Sequence, residues 1–289
     1  MPGKAARFTR KRGRFVARVA FAVPAAAFGL VIYSYLTLPD VRPLASSNPS
    51  TTAFIEIRAD EARAHGKPPR NIHQWIAYRR ISPSLKRAVL VAEDAAFWQH
   101  DGVDYDELQK SIEVDWARGQ LVRGASTITQ QLAKNLYLSP SRNPLRKLRE
   151  LIIARRLEAE LDKARILELY LNLIEWGDGI YGAEAASRAY FGESAATLGP
   201  AASALLAGAI VNPRALNPAH PTPRLQRRQQ IILKRMGGVA PPVPARPIAP
   251  ADDESALATP AEERNDVQPQ DVPSVPAAPP PFAGTVEPK

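Results

Sequence analysis

The sequence predicts a mainly α protein, and three observations point there. Apolar residues recur at helical spacing in segment after segment, as in Leu85, Ala88, Val89 and Ala92. Few segments show the period-two alternation of half-buried strands. Helix-opening residues such as Ser82-Pro83 stand in front of the apolar stripes; serine is a good N-cap and proline is favoured at the first helical position. The 289 residues could hold one or two domains, and 45% apolar residues are enough for a core. No internal repeat is visible.

Taken in order, residues 1–18 carry seven bases (Lys4, Arg7, Arg10, Lys11, Arg12, Arg14, Arg18) and no acid. Val19 to Leu38 is then twenty residues without a charge. A helix of that length spans about 30 Å, the thickness of the hydrocarbon core, so residues 19–38 read as one transmembrane anchor. Pro24 lies near its start, where a kink is tolerable. Tyr33 and Tyr35 fall near the exit, where aromatic rings favour the interface, and the preceding cations predict a cytoplasmic N-terminus. A cleavable signal peptide is the rival reading. Its apolar core runs about 7–15 residues and ends in a small-x-small site, whereas this run ends Tyr35-Leu36-Thr37-Leu38-Pro39.

Residues 39–236 read as the folded domain. Thr51 to Arg63 suits a strand followed by a short helix. Ile72 to Ile81 looks extended; its Ile72, Trp75, Ile76 and Tyr78 beside Arg79 and Arg80 suit either lipid headgroups or a strand with one buried face. Helices are expected from Ser82-Pro83 to Ala92, over Tyr105–Arg118, Ser126–Leu136, Arg146–Leu161, Ala164–Ile174, Ala183–Tyr190 and Pro200–Val211. Ala164–Ile174 is apolar on most sides and should be central. Pro200–Val211, about twelve residues, is too short to span a bilayer, and Asn212-Pro213 stops it. Residues 237–289 hold nearly half of the 28 prolines. Such a stretch buries too little apolar surface to offset its ordering entropy and reads as a disordered or polyproline-like tail.

The net charge of +9 is uneven. The tail after Gly238 carries −5 and the middle region +7. A basic middle suits a phosphate-bearing substrate or an anionic membrane surface; a generic alkaline surface is the plain alternative. No cysteine is present, which excludes disulfides and cysteine-based metal or redox chemistry.

Two motifs carry more polar chemistry than core packing requires. Glu93-Asp94-Ala95-Ala96-Phe97-Trp98-Gln99-His100-Asp101-Gly102 places acids, an aromatic and a histidine within ten residues. Gly124-Ala125-Ser126-Thr127-Ile128-Thr129-Gln130-Gln131-Leu132-Ala133-Lys134-Asn135 puts hydroxyls, amides and an ammonium on a helix behind a glycine. Thr127, Gln130 or Gln131, and Lys134 then share one face, and exposed N–H groups at the helix start could cradle an anion. A polar helix face with capping residues would read the same way. Arg142, Arg146 and Lys147 add cations, and Glu150 follows at i+4 from Arg146 and i+3 from Lys147. That spacing gives either a solvent-facing salt bridge worth a few tenths of a kcal/mol or a second carboxylate joining Glu93 in a cleft. With four histidines in the chain and none near His100, a zinc site is not expected; His100 reads as fixing the loop after Phe97.

With these residues in view the chain resembles glycosyltransferase family 51, the peptidoglycan glycosyltransferases. Glu93–Gly102 resembles the family's first signature and Gly124–Asn135 its second, with Ala125 where a glycine is common. Arg146-Lys147-Leu148-Arg149-Glu150 resembles the third, Arg165-Ile166-Leu167-Glu168-Leu169-Tyr170-Leu171-Asn172 the fourth, and Leu205-Leu206-Ala207-Gly208-Ala209-Ile210-Val211-Asn212-Pro213 the fifth. All five stand in the family's order. A penicillin-binding domain has no room after them, and no Ser-x-x-Lys occurs, so the resemblance is to the monofunctional members.

The resemblance implies a mainly α, lysozyme-like domain with a smaller membrane-facing lobe. It implies polymerisation of lipid II, with a lipid-linked glycan chain as donor, at the bacterial inner membrane. Glu93 would be the catalytic base and Glu150 a second catalytic carboxylate at the donor pyrophosphate; no cofactor is certain there, and a divalent Mg or Mn ion is left open as one option. Lys134, Arg142, Arg146 and Lys147 would bind the pyrophosphate, with Ser126. Asp94, Phe97, His100, Thr127, Gln130, Gln131 and Asn135 would shape the substrate site. Cell-wall synthesis or division proteins are candidate partners, and nucleic acid is not. A lysozyme-type lytic enzyme and a catalytically silent cell-wall scaffold are the rival readings.

Overall fold

Side-chain caps set most of the helix starts. A computed structural model describes residues 36–118, 126–141 and 143–237, together with Phe21, Ala22, Pro24, Ala25, Phe28, Gly29, Ile32 and Tyr33. Among the described residues the chain forms nine α-helices and three short strands. In order these are α1 (Ala53–Ala64), β1 (Ile72–His73), α2 (Pro83–Glu93), α3 (Tyr105–Arg118), α4 (Ile128–Tyr137), α5 (Pro144–Glu160), α6 (Lys163–Leu173), β2 (Glu175–Gly177), β3 (Ile180–Tyr181), α7 (Ala183–Phe191), α8 (Pro200–Ala209) and α9 (Pro223–Met236). Thr52, Ser82, Thr127, Asn143, Asp162 and Thr222 each accept a backbone N–H in the first turn of the helix they precede. These oxygens satisfy donors that a helix start leaves unpaired.

The mainly helical expectation holds, with three differences in detail. Thr51–Arg63 contains no strand; Thr52 caps α1 directly. Only Ile72–His73 of the expected extended segment is strand. Ile76, Tyr78 and Ile81 turn inward and are buried, as the buried-face alternative has it, while Ile72, Arg79 and Arg80 stay exposed. Helix α9 was not anticipated, although Thr222-Pro223 uses the same opening as Ser82-Pro83. Nine of the twenty residues of the anchor expected over residues 19–38 lie outside the described residues. Those described within it are helical up to Leu36, with Phe21, Phe28, Tyr33 and Leu36 exposed. Among the described residues no helix is long and apolar enough to cross a membrane. The basic segment 1–18 and the tail beyond Gly237 also lie outside the described residues.

Helix α6 is the axle of the fold. Ala164 and every residue from Ile166 to Leu173 are buried, as its apolar surround predicted. It packs against α4, which also packs on α5. On the other side α2 packs against α8 and α9. Leu85, Leu90, Phe97, Ile128, Leu132, Leu157 and Ile166 are all fully buried in one continuous core. Truncating one such leucine to alanine would cost about 2–5 kcal/mol.

The sheet has the order β1-β3-β2, with β1 parallel to β3 and β2 antiparallel to it. Asp178-Gly179 turns the β2–β3 hairpin. Gly179 has φ +68°, and a Cβ there would lie 2.6 Å from the Arg70 carbonyl oxygen, so only glycine fits.

The polar residues of the fourth motif serve this scaffold. Asn172 accepts the Ile76 N–H at 2.8 Å and returns a bond to the Ile76 carbonyl at 2.9 Å. Glu168 accepts the Tyr78 N–H at 3.0 Å. Arg165 bonds Glu168, the carbonyls of Leu44 and Ser47, and the Asn48 side chain. Positions i, i+3 and i+7 lie on one helix face, so one face of α6 clamps both Ile76–Tyr78 and the segment that follows the expected anchor. Val41 and Leu44 of that segment are buried in the core.

Candidate active site

Glu93 and Asp94 part company where α2 ends. Asp94 has φ −164° and ψ 81°, and beyond the helix end the two carboxylates take different partners. The Asp94 carboxylate is buried and accepts the Ile128 N–H at 2.9 Å. It also meets His100 Nε2 at 2.9 Å, while His100 Nδ1 accepts the Gly102 N–H at 3.2 Å. An Nδ1 that accepts leaves the proton on Nε2, which donates to Asp94. His100 therefore fixes the loop after Phe97, as expected.

The same loop is held from below. The Gly102 carbonyl accepts Thr127 Oγ1 at 2.7 Å and Gln130 Nε2 at 3.1 Å. Gly102 has φ +82°, and an added Cβ would sit 3.0 Å from Glu158 Cγ. Phe97 is fully buried, with the Lys163 ammonium 4.4 Å from its ring centroid. Phe97, expected to shape the substrate site, lies in the core instead and anchors the loop. The start of α4 is not an open anion cradle either. Asp94 takes the Ile128 N–H and Thr127 Oγ1 takes the Gln130 N–H. Asn135 folds back onto its own helix and donates to the Gln131 carbonyl at 2.8 Å.

Glu93 is held by a different residue of α4. Its Oε2 accepts Gln131 Nε2 at 2.9 Å. Burial raises the Glu93 pKa above the ordinary carboxylate value. The Gln131 hydrogen bond and the charges of Arg228 and Lys134 oppose that rise, and Asp94 adds to it. A carboxyl with raised pKa is a stronger base once ionised. Glu93, Asp94, His100, Ser126 and Thr127 line a cavity of about 690 Å³, joined by Arg155 and Arg235.

A second carboxylate organises the cations. Glu150 is buried, with Arg146 on one oxygen and Lys147 on the other, each at 2.5 Å. Lys147 also reaches Gln130 Oε1 at 2.9 Å and Ser126 Oγ at 3.1 Å. The expected spacing is met, but the pair is not the solvent-facing bridge that spacing alone allows. Among the described residues the Lys134 ammonium has no hydrogen-bond partner. Burial lowers its pKa; Glu150 and Glu93 oppose that, and Arg146 and Lys147 reinforce it. Lys134 thus feels both carboxylates. Arg142 lies outside the described residues.

This arrangement is made for an anion. Both Glu150 oxygens are engaged by cations, and Lys134 adds another positive charge. Such a set does not fit a divalent ion, the option left open above, on Glu150 itself, because both its oxygens are taken and the cluster is already positive. Asp94, His100 and Asp104 could supply metal ligands among the described residues. They lie in the first motif's loop, and Asp94 and His100 are spent on each other and on backbone N–H groups.

The transglycosylase family model matches residues 61–237. The chain belongs to the transglycosylase family. The biosynthetic peptidoglycan transglycosylase of Janthinobacterium sp. (strain Marseille) is 48% identical over 195 residues, 68% of this chain and 84% of that protein. The protein of the same name from Methylobacillus flagellatus is 44% identical over 207 residues, 72% of this chain and 90% of its own. That from Thiobacillus denitrificans is 47% identical over 220 residues, 75% and 94% of the two chains.

Within this transglycosylase domain the structure adds two residues that the motif reading passed over. Arg228 on α9 bonds the Gly208 carbonyl at 3.0 Å and its charge reaches Glu93. The Thr222-Pro223 opening could have announced its helix, but nothing in the sequence announces that α9 packs on α2. Tyr170, inside the fourth motif, donates to Gln131 at 3.0 Å.

Proposed function

We propose that this chain polymerises peptidoglycan glycan strands from lipid II, forming β-1,4 links between disaccharide-pentapeptide units. The observation that carries the reading is that α4 links the two carboxylates: its Gln131 holds Glu93, and its Gln130 meets Lys147 of the Glu150-centred cation cluster. The relatives named biosynthetic peptidoglycan transglycosylase support it.

Glu93 takes the proton from the 4-hydroxyl of the acceptor sugar as that oxygen attacks the anomeric carbon of the donor. The new O–C bond forms on the face opposite the leaving group, so the α linkage becomes β. The breaking C–O bond sends its electron pair to the polyprenyl pyrophosphate. A glycosidase needs a carboxylic acid to protonate its leaving group. A pyrophosphate needs positive charge instead, and Lys134, Arg146 and Lys147 supply it as charge develops. Glu150 keeps Arg146 and Lys147 in place. Arg142 belongs to the same group by its position in the sequence. The cation cluster favours this reading over a lytic enzyme, which would not need it.

Both substrates are lipid-linked, so the enzyme works at the membrane surface. Residues 19–38 serve as the uncleaved anchor, with residues 1–18 cytoplasmic and the catalytic domain on the outer side of the inner membrane. The helical lobe around α6 is the lysozyme-like part.

The test incubates the detergent-solubilised full chain with lipid II and follows polymer by gel. Polymer that muramidase digests is expected from the wild type and none from Glu93→Gln. Cleavage of preformed glycan without polymer would instead establish the lytic reading.

A further inference from the structure

Tyr170 is a fully buried polar side chain beside the base that takes no part in the chemistry above. Its Oη donates to Gln131 Oε1 at 3.0 Å, and Gln131 Nε2 donates to Glu93 Oε2 at 2.9 Å. The three groups come from α6, α4 and the end of α2, so no local spacing brings them together.

The direction of each bond follows from chemistry. An ionised carboxylate only accepts, so Gln131 must turn its NH₂ toward Glu93. Its carbonyl then faces Tyr170, and the phenol must donate. Burial and the charges of Glu93 and Asp94 push the Tyr170 pKa well above its ordinary value, so the proton stays on the phenol. Without that donor the amide loses its orientation. A half-turn would set its carbonyl against the carboxylate and expel the charge from Glu93.

We propose that Tyr170 is a positioning residue for the base: through Gln131 it holds Glu93 ionised and aimed before proton transfer. The relay rests on the reading of Glu93 as base. It adds that the amide of Gln131 serves the base and that a residue of the central helix decides which way it points.

The experiment measures lipid II turnover against pH for Tyr170→Phe, Gln131→Met and the double variant, all in the full chain. Tyr170→Phe removes one hydroxyl and should lower kcat roughly tenfold, the worth of one such hydrogen bond. KM for lipid II should stay unchanged, since Tyr170 does not touch substrate. The acid limb of the kcat profile should move to higher pH, because the Gln131 bond is one of the contacts that hold the Glu93 pKa down. Gln131→Met should move it the same way, and Tyr170→Phe should add nothing on top of Gln131→Met.

An acid limb unmoved in both single variants overturns the relay, as does full additivity of the two. Should Tyr170→Phe fail to fold, the limb of Gln131→Met still decides, because an unmoved limb there leaves Tyr170 nothing to act on. Loss of the base reading itself looks different: Glu93→Gln would then keep turning over lipid II.

Discussion

Replacing Lys134 with alanine should separate activity from stability. In the substrate-free enzyme its ammonium stands among Arg146 and Lys147, makes no hydrogen bond among the described residues, and is held below its ordinary pKa by burial. Removing it relieves like-charge repulsion and a desolvation cost, so thermal stability should hold or rise. With donor bound, the same ammonium meets a pyrophosphate whose charge grows as the bond breaks. Losing such a contact costs about 2–4 kcal/mol, a rate drop of roughly 30- to 1,000-fold. Lys134→Arg should rescue poorly, since a planar guanidinium does not replace a compact ammonium. The control is Arg224→Ala, an exposed cation at the start of α9; Arg228 cannot serve, because its charge reaches Glu93. Lipid II turnover and thermal melts would be measured on all three variants. Equal losses for Lys134→Ala and Arg224→Ala would mean that the positive charge acts as a diffuse field. A melting temperature that falls with activity would mean that Lys134 supports the fold rather than the leaving group.

Other outcomes follow from the same geometry. Glu93→Gln should keep the circular dichroism spectrum and raise the melting temperature at neutral pH. A raised folded-state pKa means that ionising Glu93 opposes folding; the cost is full above that pKa and vanishes below the unfolded value near 4.5, so the gain should fade on acidification. Arg228→Ala removes a charge that holds the Glu93 pKa down, so the acid limb of the rate profile should move to higher pH, as a pH series of turnover would show. Arg165→Ala leaves the Leu44 and Ser47 carbonyls and Glu168 without their guanidinium; urea denaturation should show a loss of about 3–5 kcal/mol, the usual cost of breaking a buried ion pair. Deleting residues 1–36 should leave a folded domain with weaker liposome association. Deleting 1–48 also removes Val41 and Leu44 from the core and should lower the melting temperature sharply.

Local chemistry made much of the fold legible in advance. Ser82-Pro83 announced α2, and the apolar surround of Ala164–Ile174 announced a central helix, because caps and periodicity act within a few residues. Thr51–Arg63 misled because a helix with one buried isoleucine, Ile55, shows little periodicity. Ile72–Ile81 misled because its inward turns are held by Glu168 and Asn172, about ninety residues away. At the site, the Arg146–Glu150–Lys147 spacing followed from the sequence, since residues three and four apart meet on any helix. Whether that group faced water or a cleft did not, because burial depends on what packs above it. The motifs determined which chemical groups are present: a carboxyl base, a second carboxylate, and cations suited to an anion. Tertiary structure alone decided how those groups are used. It put His100 on Asp94 and Phe97 in the core. It brought Arg228 from α9 and Tyr170 from α6 to a single carboxylate. The links among Glu93, Gln131, Tyr170 and Arg228 join residues 38 to 135 positions apart in the chain, and only packing of α2, α4, α6 and α9 closes such distances.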